Sequence, residues 1–432
     1  MKRTSIGAEI AAKLDATVSN PVLVLGDPAQ SGPLDLLANP GEYDTIAKWL
    51  ADSGFLRWRR SWAKFDEDGV SGTSLASTKR WLSAGNDPSV LFEDSEAIPG
   101  LSNLVRPGPA TVLLLGARVM IGRRGRVSQE LRHQVSEALE RDPEAWVVAE
   151  QRAPAVGMVG ALRLLRRACG AGQPLPPSAR VAGLAGVLLH GGPVRAKAEV
   201  FAEAFPRRWR PAVVSFSGLD GSGKSTQVTQ LRDTLTLLGA SAELQWAGFK
   251  TGSSIRSALP VLDRSLRAGR RGTQSATTPP RVRDPLVPSA CLGHPLGEQL
   301  WTFTVVAVNA ISLWQHVLKP RRGAEVLIFD RFSPDSSLKL DFHYGCNRQI
   351  DIRRQRALFT FLSPKPDVGF LVAVSSVVAH QRRQEQTLEE LTVMARLYDD
   401  QESRFGLVRL DGTEPADQLG RFVVKAAWEG MR

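Results

Sequence analysis

Cysteine is scarce in this chain. Cys169, Cys291 and Cys346 lie far apart among 432 residues. An odd count without metal-ligand spacing excludes a disulfide scaffold and a cysteine-built metal site, so a reducing, cytoplasmic setting is expected. Long hydrophobic runs are also missing. No uncharged apolar stretch reaches about 18 residues, and no membrane span is expected. The basic opening Met1-Lys2-Arg3-Thr4 is followed by Glu9, Lys13 and Asp15, which interrupt any signal-peptide core. Acidic charge is in deficit: 44 Asp and Glu face 55 Lys and Arg, for a formal net charge of +11. That excess favours anionic partners. The deficit is sharpest between Lys250 and Arg283, where Asp263 is the lone acid, and a second basic cluster is Arg123-Arg124-Gly125-Arg126. Each cluster is either a solvated loop or a polyanion contact, and neither carries a nucleic-acid fold signature.

Hydrophobic residues at 43% and charged residues at 23% are ordinary for a globular protein. The length suggests two domains. The proline-bracketed basic segment Pro206-Arg207-Arg208-Trp209-Arg210-Pro211 marks a boundary, giving domains of 1–205 and 206–432. Residues 270–298, rich in Gly, Ser, Thr, Pro and Arg, read as a long insertion within a basic stretch of about 250–299.

The densest signal is Gly218-Leu219-Asp220-Gly221-Ser222-Gly223-Lys224-Ser225, a G-x-x-x-x-G-K-[ST] pattern. Ala212 to Ser217 reads as a buried strand before it. Thr226 to Leu238 reads as a helix after it, with Val228, Leu231, Leu235 and Leu238 on one face. A strand turning through glycines into a helix start aims backbone amides at an anion, and the helix dipole adds positive potential. In such a P-loop, Lys224 reaches the β- and γ-phosphates and the Ser225 hydroxyl binds Mg²⁺.

Downstream, strands alternate with helices, which implies a mostly parallel sheet covered by helices. Strands are expected at Ala242–Trp246, Glu325–Phe329, Val368–Val374 and Gly406–Leu410, with a long apolar helix from about Leu300 to Leu318. Asp330 closes one strand at its carboxyl end, where ligands sit in open α/β sheets. It is a candidate Mg²⁺ ligand, or else a helix cap or the ion-pair partner of Arg331. Arg331 is a candidate for an acceptor phosphate, or an ordinary surface arginine. Asp335-Ser336-Ser337 caps a helix or lines an acceptor pocket. Arg382 and Arg383 point to different sides of a helix, so at most one can close over a transferring phosphoryl group. His343 and Cys346 lack metal partners and read as structural.

In this order the residues of 212–432 resemble the thymidylate kinase family of P-loop nucleoside monophosphate kinases. Gly218 to Gln227, through Ser225 and Thr226, is similar to its P-loop. Asp330-Arg331-Phe332 resembles its Asp-Arg-aromatic motif, Asp335-Ser336-Ser337 its Asp-Ser-Ser, and Pro366-Asp367 its entry to a strand. Arg382 falls on its lid arginine, and Tyr398 with Leu407 to Asp411 resembles its closing helix and strand. The resemblance implies ATP and Mg²⁺ as cofactors, with Gly218, Asp220, Gly221, Ser222, Gly223, Lys224, Ser225 and Thr226 around the phosphates. It implies Ser225 and Asp330 at the metal, and Lys224, Asp330, Arg331 and Arg382 in catalysis. It also implies a nucleotide substrate and a homodimer. Two departures stand out. Leu244-Gln245-Trp246-Ala247-Gly248 occupies the place of the family's Arg-Glu-Pro, and Val306 to Ala310 lacks its helix arginine, although Ile255-Arg256 resembles its Ile-Arg.

Residues 20–85 weakly resemble the nucleotidyltransferase core. Val22 to Asp27 and Leu34 to Leu37 are similar to its paired strands. Tyr43 to Leu50 reads as a helix and Arg57 to Phe65 as one strand. Active members hold two Mg²⁺ on carboxylates from neighbouring strands. Here Pro33-Leu34-Asp35 supplies one acid and Val70 to Leu75 none. The expected architecture is therefore an inactive α+β nucleotidyltransferase-like domain, with helices at Val127–Leu139 and Val159–Arg167, followed by an α/β P-loop kinase-like domain. The expected activity is ATP-dependent phosphorylation of a nucleoside monophosphate, dTMP or a relative. The rivals are an ATP-binding regulatory or scaffolding protein that has lost its acceptor site, and a kinase of a polynucleotide end or another large anion.

Overall fold

Strand Ala212–Ser217, AVVSFS, is buried along its whole length, as a central strand of a parallel sheet must be. The computed structural model of the chain describes residues 6–25, 34–66, 69–78, 87–122, 127–170, 211–250, 295–318, 324–346 and 349–432. The chain divides into two compact units, one through residue 209 and one from residue 210, apart from the short stretch Leu237–Gly239. Both are mixed α/β. The expected boundary segment 206–210, the Arg123–Arg126 cluster, Asp27 and nearly all of the 250–299 stretch lie outside the described residues.

The first unit is built on a seven-stranded mixed sheet. Its strands are β1 (Val22–Val24), β2 (Leu34–Ala38), β3 (Leu56–Trp58), β4 (Ser61–Asp66), β5 (Gly69–Ser77), β6 (Glu96–Ala97) and β7 (Leu104–Arg106), in the order β3-β4-β5-β2-β1-β7-β6. Strand alternation sends neighbouring residues to opposite faces. Val22, Val24, Leu34 and Leu36 pack with α1 (Ile6–Asp15) and α2 (Pro40–Asp52). Leu23 and Leu37 pack with α3 (Pro109–Gly122), α4 (Gln129–Arg141), α5 (Ala145–Arg152) and α6 (Val159–Gly170). The Asp15 carboxylate ties the end of α1 to β7 by accepting the amides of Ser102, Asn103 and Leu104. The single strand expected over Arg57–Phe65 is in fact two. Arg59 takes a left-handed φ of 56° and folds β3 back on β4 as an antiparallel hairpin.

The second unit carries five parallel strands: β8 (Ala212–Ser217), β9 (Ala242–Trp246), β10 (Val326–Asp330), β11 (Val368–Ala373) and β12 (Val408–Asp411). Their order is β12-β11-β8-β10-β9. The chain leaves β8 toward one edge and crosses to the other after β10. Strand order therefore reverses at β8, where open α/β sheets place their ligand crevice. Val213, Leu327 and Phe329 pack with α8 (Pro295–Leu318) and α10 (Arg353–Leu362). By alternation, Val214, Phe216 and Ile328 face the other way, and Phe216 stacks on Phe370 at 5.1 Å. The remaining helices are α7 (Lys224–Leu237), α9 (Ser333–Leu340), α11 (Ser376–Arg382), α12 (Leu388–Phe405) and α13 (Ala416–Gly430). Helix α12 shows why its ends lie where they do. Thr387 and Glu390 form a reciprocal capping box at the start, and Gly406 ends the helix at φ 64°.

Candidate functional site

The glycine loop after β8 adopts backbone angles that side chains resist. Gly218, Gly221 and Gly223 have φ of 144°, 85° and 99°. A Cβ on Gly218 would lie 2.4 Å from the Val372 carbonyl oxygen, and one on Gly221 would lie 2.9 Å from that of Ala379. Gly223 has open space around its missing Cβ and is required for its φ alone. Within the loop the Ser222 amide donates to Leu219 O at 3.2 Å. Among the described residues, the amides of Asp220, Gly221, Gly223, Lys224 and Ser225 make no backbone hydrogen bond. Such a set of amides at the start of a helix forms an anion cradle.

Lys224 is buried and donates to the Gly218 and Leu219 carbonyls at 2.9 and 2.6 Å. Burial, and next the nearby Arg331 cation, push its pKa down to about 8. At the next residue, the Ser225 hydroxyl donates to Asp330 Oδ2 at 2.8 Å. Asp330 Oδ1 is buried and has no hydrogen-bond partner. A buried carboxylate oxygen left without a donor is a costly arrangement, and a cation relieves it. Ser225 and Asp330 thus fit a divalent ion completed by phosphate and water oxygens. Among the described residues no group of three His, Cys, Asp or Glu side chains could hold a metal.

Arg331 takes a left-handed φ of 75° and donates its backbone amide to Phe216 O, across from β8. Its guanidinium pairs with Asp220 in the glycine loop. It also lies 4.0 Å from Asp335. Asp335 is the buried hub. It accepts from the Ser217 hydroxyl at 2.6 Å, the Tyr398 hydroxyl at 2.8 Å and the Phe332 amide at 3.2 Å. The last bond caps α9, so this residue caps the helix and braces the strand end before the loop. Tyr398 is buried. Burial, then Asp335, raise its pKa well above the usual value, which keeps it a donor, and it also touches the Gly218 backbone.

Arg382 Nη1 sits over the loop, 3.4 Å from Gly221 O and 3.1 Å from Gly412 O. Arg383 turns away to Glu385 at 2.8 Å. Thr226 follows within α7 and is exposed. The structure therefore gathers Gly218 through Ser225, Asp330, Arg331 and Arg382 around one strand edge. Ser217 and Lys339 carry no sequence signal of a site role, and Tyr398, matched only as part of the closing helix, joins the site through Asp335. Lys339 on α9 lies within electrostatic reach of Arg331, Asp220 and Asp335, and burial and Arg331 lower its pKa.

On the neighbouring strand, Trp246 is in register with Asp330 and 66% exposed. Its ring covers Gly248, where a Cβ would lie 2.0 Å away. Asn309 on α8 is buried and holds Lys250 through both backbone groups, at 2.8 and 3.1 Å. His343 stacks on Phe249 at 6.2 Å, inside a π-helical turn over Asp341–Cys346. In the first unit Asp35 on β2 accepts from Ser74, its register partner on β5. No family model matches the chain, and no curated protein matches it. No helix among the described residues is long and apolar enough to cross a membrane.

Proposed function

We propose that the second unit is an ATP-dependent phosphotransferase of the thymidylate kinase type, acting on a nucleoside monophosphate such as dTMP or a related acceptor. The observation that carries this reading is the Ser225–Asp330 pair, with its orphaned buried oxygen, beside five loop amides free of backbone bonds. Those amides and Lys224 bind the phosphate chain, and the Lys224 ammonium exchanges its carbonyl partners for phosphate oxygens. A Mg²⁺ held by Ser225 and Asp330 supplies charge neutralisation and orientation. Arg331, anchored on Asp220, faces the acceptor, and Arg382 bridges from the loop to the moving group. Catalysis of this kind rests on positioning and charge. The test is ADP release with ATP–Mg²⁺ over a panel of nucleoside monophosphates. Turnover no higher than that of Lys224→Ala for every acceptor would remove the enzyme reading.

A second reading is an ATP-binding regulatory or scaffolding protein. It is favoured by the stretches Leu244 to Gly248 and Val306 to Ala310, which lack the acceptor-side arginines that the resemblance implies. It predicts tight ATP binding with negligible turnover. The third, a kinase of a polynucleotide end, rests on the +11 charge. We read the first unit as an inactive nucleotidyltransferase-like domain because Asp35 stands alone and is already engaged by Ser74. Cytoplasmic residence follows from the cysteine usage.

We also infer a homodimer through α8. Leu296, Leu300, Ile311 and Leu318 are exposed, and Phe303, Ala307 and Trp314 are half-buried on the same stripe. The spacing is symmetric about Ala307. A two-fold axis there pairs Leu296 with Leu318, Leu300 with Trp314 and Phe303 with Ile311 of a second copy, with the smallest residue at the crossing.

A further inference from the structure

A hollow of about 540 Å³ lies on the second unit, lined by Arg353, Arg356, Thr360, Phe361, Lys365 and Arg404. Lys365 precedes β11 and Arg404 ends α12 shortly before β12. The hollow therefore borders the edge where these parallel strands begin, whereas the glycine loop and Asp330 occupy the edge where β8 and β10 end. Arg353, Arg356, Thr360 and Phe361 recur at helical spacing along one side of α10. Among the described residues no acid lines the hollow. The nearest acids are shared: Asp341 lies 3.4 Å from Arg404 and 3.9 Å from Arg356, and Arg404 also pairs with Asp400. Burial holds the Asp341 carboxyl above its usual range, against the pull of these two arginines. Arg353 is 87% exposed, 3.9 Å from Asp351. Four cationic side chains thus line one small concavity, and Asp351, Asp341 and Asp400, which pair with its three arginines, are not among its lining residues. Phe361 stands at this site 83% exposed. Its neighbour Leu362 is fixed from behind, because the Leu362 carbonyl accepts from Trp314 Nε1 at 2.8 Å.

We propose that this hollow is a second ligand site, for a nucleoside di- or triphosphate, with the phosphates held by Arg353, Arg356, Lys365 and Arg404 and the base stacked on Phe361. The volume falls within the range of small-ligand pockets, about 300–1,000 Å³. Guanidinium groups match phosphate oxygens in fork geometry, and an exposed aromatic face offers stacking to a planar ring. The site does not depend on the reading of the glycine loop and would act as an effector site.

The test uses the full chain in a Lys224→Ala background, which weakens the other phosphate site. Binding of ATP, tripolyphosphate and adenosine is measured by calorimetry without metal. The expected order is ATP tightest, tripolyphosphate several-fold weaker and adenosine weakest. Arg353→Ala with Lys365→Ala, at surface positions, should weaken ATP at least about tenfold while the melting temperature stays put. Phe361→Ala should erase the advantage of ATP over tripolyphosphate and leave tripolyphosphate unchanged. The proposal is overturned if ATP binding is insensitive to the Arg353/Lys365 change, if tripolyphosphate binds as well as ATP, or if a single-stranded oligonucleotide occupies the site and ATP does not.

Discussion

The Tyr398 hydroxyl donates to Asp335 Oδ1 at 2.8 Å across 63 residues of sequence. The same carboxylate receives Ser217, the last residue of β8. One buried acid therefore joins α12, α9 and the strand that launches the glycine loop. Tyr398→Phe removes the donor and leaves a buried carboxylate oxygen short of a partner. The expected cost is about 1–3 kcal/mol of stability, read as a fall in melting temperature. Nucleotide affinity should fall with it, because Tyr398 also touches the Gly218 backbone.

Lys224→Ala should weaken ATP binding by about 10- to 100-fold, the worth of one charged hydrogen-bonding group. Calorimetry against the unaltered chain checks this. An unchanged affinity would show that the loop does not hold the phosphate chain.

The lowered pKa of Lys224 gives a pH signature. The folded chain releases this proton near pH 8, whereas the unfolded chain keeps it until about its ordinary value of 10.5. Between these values the unfolded state binds more protons, so this group's contribution to stability rises with pH through that window and is flat below it. Anion binding runs the other way: it needs the ammonium and should decline above about pH 8. Titrations of nucleotide from pH 7 to 9.5 measure it. Any binding that survives in Lys224→Arg should be flat over that range, since a guanidinium does not titrate there.

Gly218→Ala and Gly221→Ala place a methyl 2.4 and 2.9 Å from backbone oxygens, at φ angles closed to ordinary side chains. Each should destabilise by about 1–3 kcal/mol and abolish nucleotide binding. Gly223→Ala meets no atom within 4 Å and carries only the cost of its φ of 99°. It should be the mildest of the three in thermal denaturation.

Ile311→Glu, at an exposed position on the α8 stripe, should convert a dimer to a monomer in light scattering with no loss of melting temperature at low protein concentration. A mass that is monomeric before the change removes the symmetric-stripe reading.

Local patterns were readable in the chain; long-range engagements were not. The glycine spacing announced the loop because φ demands of this kind admit few other residues. The alternation of apolar strands and helices announced the parallel sheet. The role of Asp335 was left open between a cap and a pocket, because its partners Ser217 and Tyr398 lie more than 60 positions away on either side. Arg59 hid a hairpin, because an arginine gives no hint of a left-handed turn. Helical spacing alone did not separate Arg382 from Arg383; the resemblance singled out Arg382, and Gly412 and Glu385 give the two their separate partners.

The Arg382 guanidinium is already engaged through Nη1. Two main-chain oxygens, from Gly221 and Gly412, hold its guanidinium at rest. On the proposed reading, turning toward a phosphoryl group would mean relinquishing them, so any gain there would be a difference between two sets of partners. The end of α11 is in this way leashed to the glycine turn, so a shift in that turn would tug on the helix.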